Sequence, residues 1–300
     1  MADTAPVVVV TGANGMVGAR VCTVLLERGA QVRAVVRRPG TAPQLPGVTE
    51  HVGDFYDPAL AREVVTGADA VVTTVHPMAA DRQVQHEIAV EGTPVLARAA
   101  REAGVALLVH VSTAAVYDRS PGTGDVSDGS PLVDDDGGDY PVTKRNTDHA
   151  LAEVDGLTAV LVRPPAILGA GETSVWNTLR PGQVRDGEGG VNPNKSFSWV
   201  HVDDLAGLIA DVATGVIPTA TDPAAGPVEG TATPVVVAGE HATWRDYHGA
   251  VTQALGVQPQ WTDEPVWTGR LVAARATGWG WSPTVGLAQA TDELRAGLRA

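Results

Sequence analysis

A glycine-rich turn near the start of the chain constrains the fold most strongly. The apolar run Val7–Val10 is followed by TGANGMVG and then by a helical pattern over Val17–Arg28. A strand, a glycine turn and a helix in this order are the context that a dinucleotide-binding fingerprint requires. The glycines allow a tight turn, a close approach of the backbone to a pyrophosphate, and close packing of helix on strand. We assign this contact to Gly12, Asn14, Gly15, Met16, Val17 and Gly18.

Short β-branched runs alternate with helical stretches through the first half of the chain. Apolar strands separated by helices predict a parallel sheet covered on both faces. The fold class is therefore α/β, a doubly wound parallel Rossmann sheet with a small C-terminal substrate lobe. Further strands are predicted at Val32–Val36, Ala70–Val75, Leu107–Ser112 and Thr158–Val162, and helices at Pro58–Val65, Asp81–Ala103 and Tyr140–Val154.

The second half of the chain changes in character. Glycine and proline are frequent between Gly169 and Pro193 and again between Pro218 and Pro234, whereas Val200–Val212 returns to a strand-then-helix pattern. We expect a substrate cleft between two lobes. The predicted dinucleotide-binding domain is 1–168 with 198–215 returning to it, and the predicted substrate lobe is 169–197 with 216–300.

Charge and composition exclude several classes of function. The net charge of −14 disfavours a nucleic-acid or anionic-membrane binder. The start of the chain lacks a basic segment, and no apolar run approaches the ~18–20 residues that span a bilayer. Cys22 is the only cysteine and falls in a predicted helix, which is typical of a core residue. We expect a cytoplasmic protein with no metal site.

The end of the second strand indicates which nicotinamide cofactor is bound. Binders of NAD usually place an acid there for the ribose hydroxyls. This chain has Arg37 and Arg38 instead, and a guanidinium pairs well with a phosphate. We therefore predict NADP(H) in preference to NAD(H), with Arg37 as the main contact of the 2′-phosphate. The alternative is a solvated basic turn.

Tyr140 and Lys144 form a candidate catalytic pair. Four residues apart, they share one face of a helix. An ammonium beside a phenol lowers the pKa of the tyrosine from its usual value of about 10, which suits alcohol–ketone proton transfer. The alternative is a surface tyrosine stacked on a lysine stem.

The third strand-like run ends in Gly53-Asp54-Phe55, where one carboxylate has two interpretations. Asp54 could accept a hydrogen bond from an adenine amino group, or it could cap the helix that starts near Pro58. The residues alone do not decide between these two roles.

Several motifs together resemble the extended short-chain dehydrogenase/reductase family, also called the NAD-dependent epimerase/dehydratase family. They are TGANGMVG, the GDF step at Asp54 and Phe55, VSTAAVY around Thr113, the YxxxK pair, RP at Pro164, and WVHVDD from Trp199. The resemblance covers nearly the whole chain. It implies that Thr113 hydrogen-bonds the substrate oxygen, that Tyr140 transfers the hydroxyl proton, and that Lys144 holds the nicotinamide ribose.

The resemblance also places residues around the nicotinamide. Pro164 and Ile167 lie in the stretch that borders it in this family, Val75 ends the fourth predicted strand, and His76 follows that strand. His76 could line the pocket with its side chain, or it could touch the cofactor only through its backbone.

Departures from the family narrow the expected reaction. Dehydratases of the family place Asp-Glu where this chain has Ala114 and Ala115, and methyl groups cannot exchange protons. The stretches that bind a substrate diphosphate in nucleotide-sugar enzymes are mostly apolar here, although Lys195 or Arg180 could substitute. The chain looks more like the NADPH-dependent, dihydroflavonol-reductase-like carbonyl reductases. The predicted substrate contacts are His76, Ala114, Ala115, Trp176, Phe197 and Trp199, with lobe core as the alternative for the tryptophans.

The leading hypothesis is an NADPH-dependent ketoreductase, or the reverse alcohol dehydrogenase, for a small or medium, largely uncharged carbonyl compound. The alternatives are a nucleotide-sugar 4-epimerase or 4-keto-sugar reductase, and a non-catalytic NADP-sensing regulator. The resemblance implies a homodimer formed by the helices at Asp81–Ala103 and Tyr140–Val154. The stretch Asp118–Asp139 is predicted to be either a mobile flap over the substrate or a disordered loop tip.

Overall fold

The main sheet of the protein is parallel and has seven strands. The computed structural model describes residues 5–78, 80–171 and 174–299. Residues 1–4, which belong to the start of the chain that lacks a basic segment, lie outside this range. The strand order is β3-β2-β1-β4-β5-β6-β9, with β7 and β8 in a separate pair. The strands are β1 Val7–Thr11, β2 Gln31–Val36, β3 Val48–Val52, β4 Ala70–Thr73, β5 Leu107–Val111, β6 Ala159–Arg163, β7 Ala166–Leu168, β8 Trp199–His201 and β9 Ala232–Val236.

Helices cover both faces of this sheet. The longest predicted helix is interrupted by a π-helical segment, His86–Glu91, between α3 and α4, where Pro94 has no backbone N–H to donate to the preceding turn. None of the described helices is long and apolar enough to cross a membrane. The helices are α1 Met16–Glu27, α2 Pro58–Val65, α3 Arg82–Gln85, α4 Gly92–Glu102, α5 Asp139–Ala152, α6 Leu179–Arg185, α7 Val202–Ala213, α8 Trp244–Leu255, α9 Ala274–Gly278 and α10 Leu287–Arg299.

Alternation along the strands divides the core into two layers. Val8 and Val10 of β1 point to the layer that contains α1 and α7, whereas Val9 points to the layer of α2, α4 and α5. Each buried valine or leucine side chain stabilises the fold by roughly 1.5–3 kcal/mol. The predicted doubly wound α/β fold is confirmed.

The second half of the chain returns to the sheet at a different place from the predicted one. β8 pairs with β7 and stays outside the main sheet, although the following helix α7 does pack on α1. The strand that joins the main sheet is β9, inside the range 216–300 that we assigned to the lobe. β9 lies at the sheet edge, where Pro234 is tolerated because one side of the strand needs no donor.

Candidate functional site

A large cleft opens at the carboxyl ends of the parallel strands. Its volume is about 1220 Å³, above the ~300–1,000 Å³ of ordinary ligand pockets, so a dinucleotide and a second molecule fit together. The cleft is lined by most of the residues predicted from the sequence, namely Gly12, Asn14, Gly15, Met16, Val17, Gly18, Arg37, Arg38, Asp54, Phe55, Val75, His76, Thr113, Ala115, Tyr140, Ile167, Trp176 and Phe197.

The glycine turn leaves the start of α1 open toward the cleft. Gly12 has a φ of 67°, which favours glycine, and a Cβ at Gly18 would lie 2.2 Å from the Gly12 carbonyl oxygen. Gly15 caps α1 without any side-chain hydrogen bond. The first N–H groups of α1 are therefore available to the phosphates of a dinucleotide.

The ends of β2 and β3 place charged side chains at one end of the cleft. Arg37 and Arg38 are exposed and line it, and Asp54 lies beside them. The cap of α2 is Asp57, whose carboxylate accepts hydrogen bonds from the N–H groups of Ala59 and Leu60 at 2.9 Å. This decides against the capping role for Asp54 and leaves its carboxylate facing the cleft.

Two hydroxyl groups lie on one wall of the cleft. Thr113 follows β5 and caps a short 3₁₀ turn, accepting a hydrogen bond from Ala115 N–H at 3.1 Å. Tyr140 lies in the first turn of α5. Burial raises the pKa of Tyr140 above its usual value, and the nearby Thr113 hydroxyl opposes that shift. The prediction of a lowered tyrosine pKa is therefore wrong, because burial of the phenol is the largest influence and the charge of Asp148 raises the pKa further.

Lys144 is buried one helical turn below Tyr140 and does not line the cleft. Its Nζ donates a hydrogen bond to the Val111 carbonyl at 2.7 Å. Burial lowers the pKa of Lys144 to about 8, while the carboxylate of Asp148 acts in the opposite direction. Asp148 is itself paired with Arg163 at 3.0 Å. The ammonium thus belongs to a buried charge network beneath the wall that carries Tyr140.

The side chain of His76, and not only its backbone, meets the site. Its ring centroid lies 5.1 Å from that of Tyr140, at an interplanar angle of 80°. The amide of Gln85 donates to the Ala80 carbonyl at 2.8 Å, so its oxygen faces His76 Nε2 at 3.0 Å and accepts that proton. Nδ1 then remains an acceptor. Burial and the charge of Lys144 lower the pKa of His76 to about 3, so the ring is neutral.

Aromatic side chains form the lobe side of the cleft. Trp176 and Phe197 line it, with ring centroids 5.3 Å apart, and Tyr247 stacks on Phe197 at 4.4 Å. Trp199, the first residue of β8, instead lies fully buried in the lobe core, because Ser198 just before it lines the cleft and successive side chains point to opposite faces.

Two further predicted contacts also lie behind the cleft wall. Ala114 is fully buried, and its N–H donates to the carbonyl of the buried Pro164 at 2.8 Å. Of the two alanines that replace the dehydratase acids, Ala115 alone lines the cleft. The predicted direct contacts of Trp199, Ala114 and Pro164 are therefore not supported by the structure.

Sequence reasoning missed Arg119, Trp244 and Trp267, which also line the cleft. Arg119 belongs to the stretch predicted as a mobile flap or a disordered tip. The structure instead holds this stretch to the lobe: Val126 exchanges hydrogen bonds of 2.8 Å with Arg270 and Val272. No local pattern marks such long-range pairs, so only the fold reveals them.

Comparison with known proteins identifies the family. A family model described as NAD(P)H-binding matches residues 12–214. The chain belongs to this NAD(P)H-binding family. The matched range contains the glycine turn, the Thr113–Tyr140 wall and α7, so it covers the cofactor half of the cleft. The predicted resemblance to the extended short-chain dehydrogenase/reductase family is confirmed.

Curated members resemble part of the chain. A 3-beta-hydroxysteroid dehydrogenase of Mycolicibacterium neoaurum is 30% identical over 220 residues, 65% of this chain and 57% of that protein. A 2-alkyl-3-oxoalkanoate reductase of Stenotrophomonas maltophilia is 33% identical over 188 residues, 59% of this chain and 57% of that protein. The chain thus spans little more than half the length of these curated relatives.

Solved structures share the fold over the whole chain. The Bordetella bronchiseptica enzyme WbmH in complex with NAD+ superposes with a TM-score of 0.79 at 21% identity, covering 98% of both chains. At this identity the similarity shows a common fold and leaves the reaction open. The substrate lobe, which lies mostly outside the matched family range, must be interpreted from its own residues.

Proposed function

We propose that this protein uses NADPH to reduce a ketone to an alcohol, or catalyses the reverse oxidation, with Tyr140 as the proton donor. The observation that carries this proposal is the placement of Thr113 and Tyr140 on one wall of the cleft that begins at the glycine turn. The two relatives described above are named as a dehydrogenase and a reductase, which supports alcohol–ketone chemistry.

The proton chemistry of the site fits reduction. The bound nicotinamide supplies hydride to the carbonyl carbon, and the carbonyl oxygen must then gain one proton. Tyr140 O–H delivers that proton, and Thr113 O–H donates a hydrogen bond to the same oxygen as charge develops there. The raised pKa of Tyr140 keeps the phenol protonated at neutral pH, as a proton donor requires.

Buried groups support the two hydroxyls. When Tyr140 releases its proton, the ammonium of Lys144 one turn away stabilises the resulting phenolate. The neutral ring of His76 packs against the tyrosine and fixes its orientation. Because Lys144 does not line the cleft, in this proposal it acts through its charge and through its hydrogen bond to the Val111 carbonyl. The predicted contact with the nicotinamide ribose requires the Lys144 side chain to turn away from that carbonyl.

Preference for NADPH is part of the proposal. The exposed Arg37 and Arg38 lie where β2 ends, and no carboxylate occupies the end of that strand. A guanidinium binds a 2′-phosphate with charge-assisted hydrogen bonds. Asp54 is free of the helix cap and faces the cleft, which supports its assignment to the adenine amino group.

Sugar dehydration is disfavoured by the same wall. Elimination needs acid and base groups that act at carbon. In the short turn that Thr113 caps, the residue that lines the cleft is Ala115, whose methyl group cannot exchange protons. The fold similarity to WbmH carries no substrate with it. Simple carbonyl reduction needs only the hydroxyl pair and the cofactor.

Oxidation of NADPH and NADH in a panel of ketones tests the proposal, with wild type compared with Tyr140→Phe. We expect NADPH to be the better cofactor, and we expect the phenylalanine variant to lose about 100-fold or more in kcat while still binding NADPH. Unchanged turnover in Tyr140→Phe, or a clear preference for NADH, contradicts the corresponding part of the proposal.

A further inference from the structure

Two cationic side chains line the lobe end of the cleft without an assigned role. The guanidinium of Arg119 lies 5.6 Å from the centre of the Trp267 ring. The ammonium of Lys195 lies 5.9 Å from the centre of the Trp244 ring. Arg119 is half-buried and Lys195 remains exposed. Each charge therefore lies against an aromatic wall of the cavity.

Backbone hydrogen bonds tie both supporting tryptophans to neighbouring residues of one segment. Trp244 N–H donates to the Lys195 carbonyl at 2.9 Å, and the neighbouring Ser196 N–H donates to the Trp267 carbonyl at 3.1 Å. The indole N–H of Trp267 donates to the Gly124 carbonyl at 2.9 Å, which ties the loop of Arg119 to the same ring. The two cations are thus positioned by one connected framework.

No carboxylate neutralises this pair within the part of the chain that the structure describes. The ion pairs there, all with N–O distances of 4.0 Å or less, include neither Arg119 nor Lys195. Glu264 acts on Lys195 only at longer range, and Arg180 and Arg119 repel it. Two like charges that repel each other favour an anion between them.

The anionic groups of the cofactor have other partners. The glycine turn faces the pyrophosphate, and Arg37 and Arg38 lie at the far end of the cleft for the 2′-phosphate. Among the described lining residues the one carboxylate is Asp54, which is also at that far end. The lobe end, between Tyr140 and the tryptophans, therefore presents positive charge to whatever molecule is reduced there.

We propose that the substrate carries an anionic group, a carboxylate or a phosphate, that binds between Arg119 and Lys195 while its carbonyl faces Tyr140. This inference rests on the proposed carbonyl reduction, and it replaces the expectation of a largely uncharged substrate. That expectation followed from the apolar stretches near Pro165 and Phe197; the positive charge comes from Lys195, just before Phe197 in the sequence, and from Arg119 on a separate loop.

Calorimetric titration of the NADP+-saturated protein tests the subsite without turnover. Two matched pairs of probes are used: benzoylpropionate with its methyl ester, and phenyl phosphate with phenol. We expect at least one anion to bind about 10-fold or more tightly than its neutral partner, because charge-assisted hydrogen bonds are the strong ones. The probe pair that shows this preference identifies whether the subsite binds a carboxylate or a phosphate.

Substitutions then assign the preference to the two cations. Arg119→Met and Lys195→Met are expected to abolish it, whereas Arg119→Lys keeps most of it. Arg245→Met is the control, because Arg245 is an exposed arginine over Trp261, at 5.7 Å, outside the cleft lining. Equal binding of anions and neutral partners, or a preference that survives in both methionine variants, overturns the proposal. Loss of NADP+ affinity in Arg119→Met does so too, since the cation would then serve the cofactor.

Failure of this proposal can be told from failure of the proposed reaction. Tyr140→Phe is expected to retain the anion preference while losing turnover, because the phenol hydroxyl is not part of the charge pair. An inactive Arg119 variant therefore says nothing against the reaction, and an active Tyr140→Phe says nothing against the subsite.

Discussion

Lys144 shows how burial changes the meaning of a residue pattern. From spacing alone, its charge was expected to lower the pKa of Tyr140. In the structure Lys144 is buried and Tyr140 partly buried, and desolvation raises the pKa of the phenol and lowers that of the ammonium to about 8. Each shift favours the neutral form of its group. The pair is thus set for a phenol that donates a proton, which is the direction that ketone reduction needs.

The lowered pKa of Lys144 has a measurable consequence for stability. The usual lysine pKa is 10.5 and that of the folded protein is about 8, so the unfolded chain binds more protons between these values. The free energy of unfolding therefore rises with pH through this window. Relative to Lys144→Met, we expect wild type to gain about 2 kcal/mol between about pH 8 and about pH 10.

Urea denaturation of both proteins across this pH range checks the expectation. Tyrosines and other titrating groups are common to the two proteins, and the lost hydrogen bond to Val111 is a constant offset, so the difference isolates the ammonium. Parallel stability curves for wild type and Lys144→Met would show that the lysine pKa is not lowered by folding.

The start of helix α2 decides between the two roles that the sequence left open for Asp54. Asp57 accepts two backbone hydrogen bonds at the start of the helix, and Asp54 lies three residues earlier, facing the cleft. One therefore serves stability and the other is free to serve the cofactor. Removing the carboxylate of a helix cap lowers the stability of the protein, whereas removing a carboxylate that contacts the cofactor weakens cofactor binding.

Alanine at each position tests this division of roles. Asp57→Ala is expected to lower the free energy of unfolding by about 1 kcal/mol with no change in the Kd of NADPH. Asp54→Ala is expected to weaken NADPH binding by up to about tenfold, the value of one hydrogen bond, with little change in stability. Each variant is the control for the other, and a loss of stability in Asp54→Ala would reverse the assignment.

The elements that sequence predicted well are those with a local signal. The glycine turn, the apolar strands of the first half and the helix at Pro58–Val65 all carry their own pattern, and the structure has them within a residue or two. β9 was missed because Pro234 and the glycine-rich run before it conceal a short edge strand. Trp199 was misplaced because only the pairing of β8 decides which face it occupies.

At the scale of the whole molecule, the charge of the cleft lining is opposite in sign to the net charge of the protein. The chain has a net charge of −14, yet the described lining of the cleft contains four lysine or arginine side chains and one carboxylate. A positive cleft in a negative protein directs small anions toward the site. Arg119 could not be found from sequence, because the ring that it packs against, Trp267, lies more than a hundred residues away along the chain.

The predicted homodimer involves another charged surface, the groove between α4 and α5. Residues of both signs line this groove, including Glu91, Arg98, Arg101, Glu153 and Asp155. If copies of the chain associate through these helices, as the family resemblance implies, pairs of opposite charge carry much of the contact. Such pairs are screened over about 10 Å at 0.1 M salt and over shorter distances as salt increases.

Sedimentation velocity at low and high salt tests this arrangement. We expect a dimer at about 50 mM NaCl and a larger monomer fraction at about 500 mM, because screening weakens exposed charge pairs. Arg98→Glu should dissociate the dimer at low salt, since it places like charges in the groove. Arg62→Glu, a charge reversal on the exposed face of α2 outside this groove, should leave the dimer intact. A single monomer at low salt contradicts the prediction, and a dimer insensitive to Arg98→Glu places the interface elsewhere.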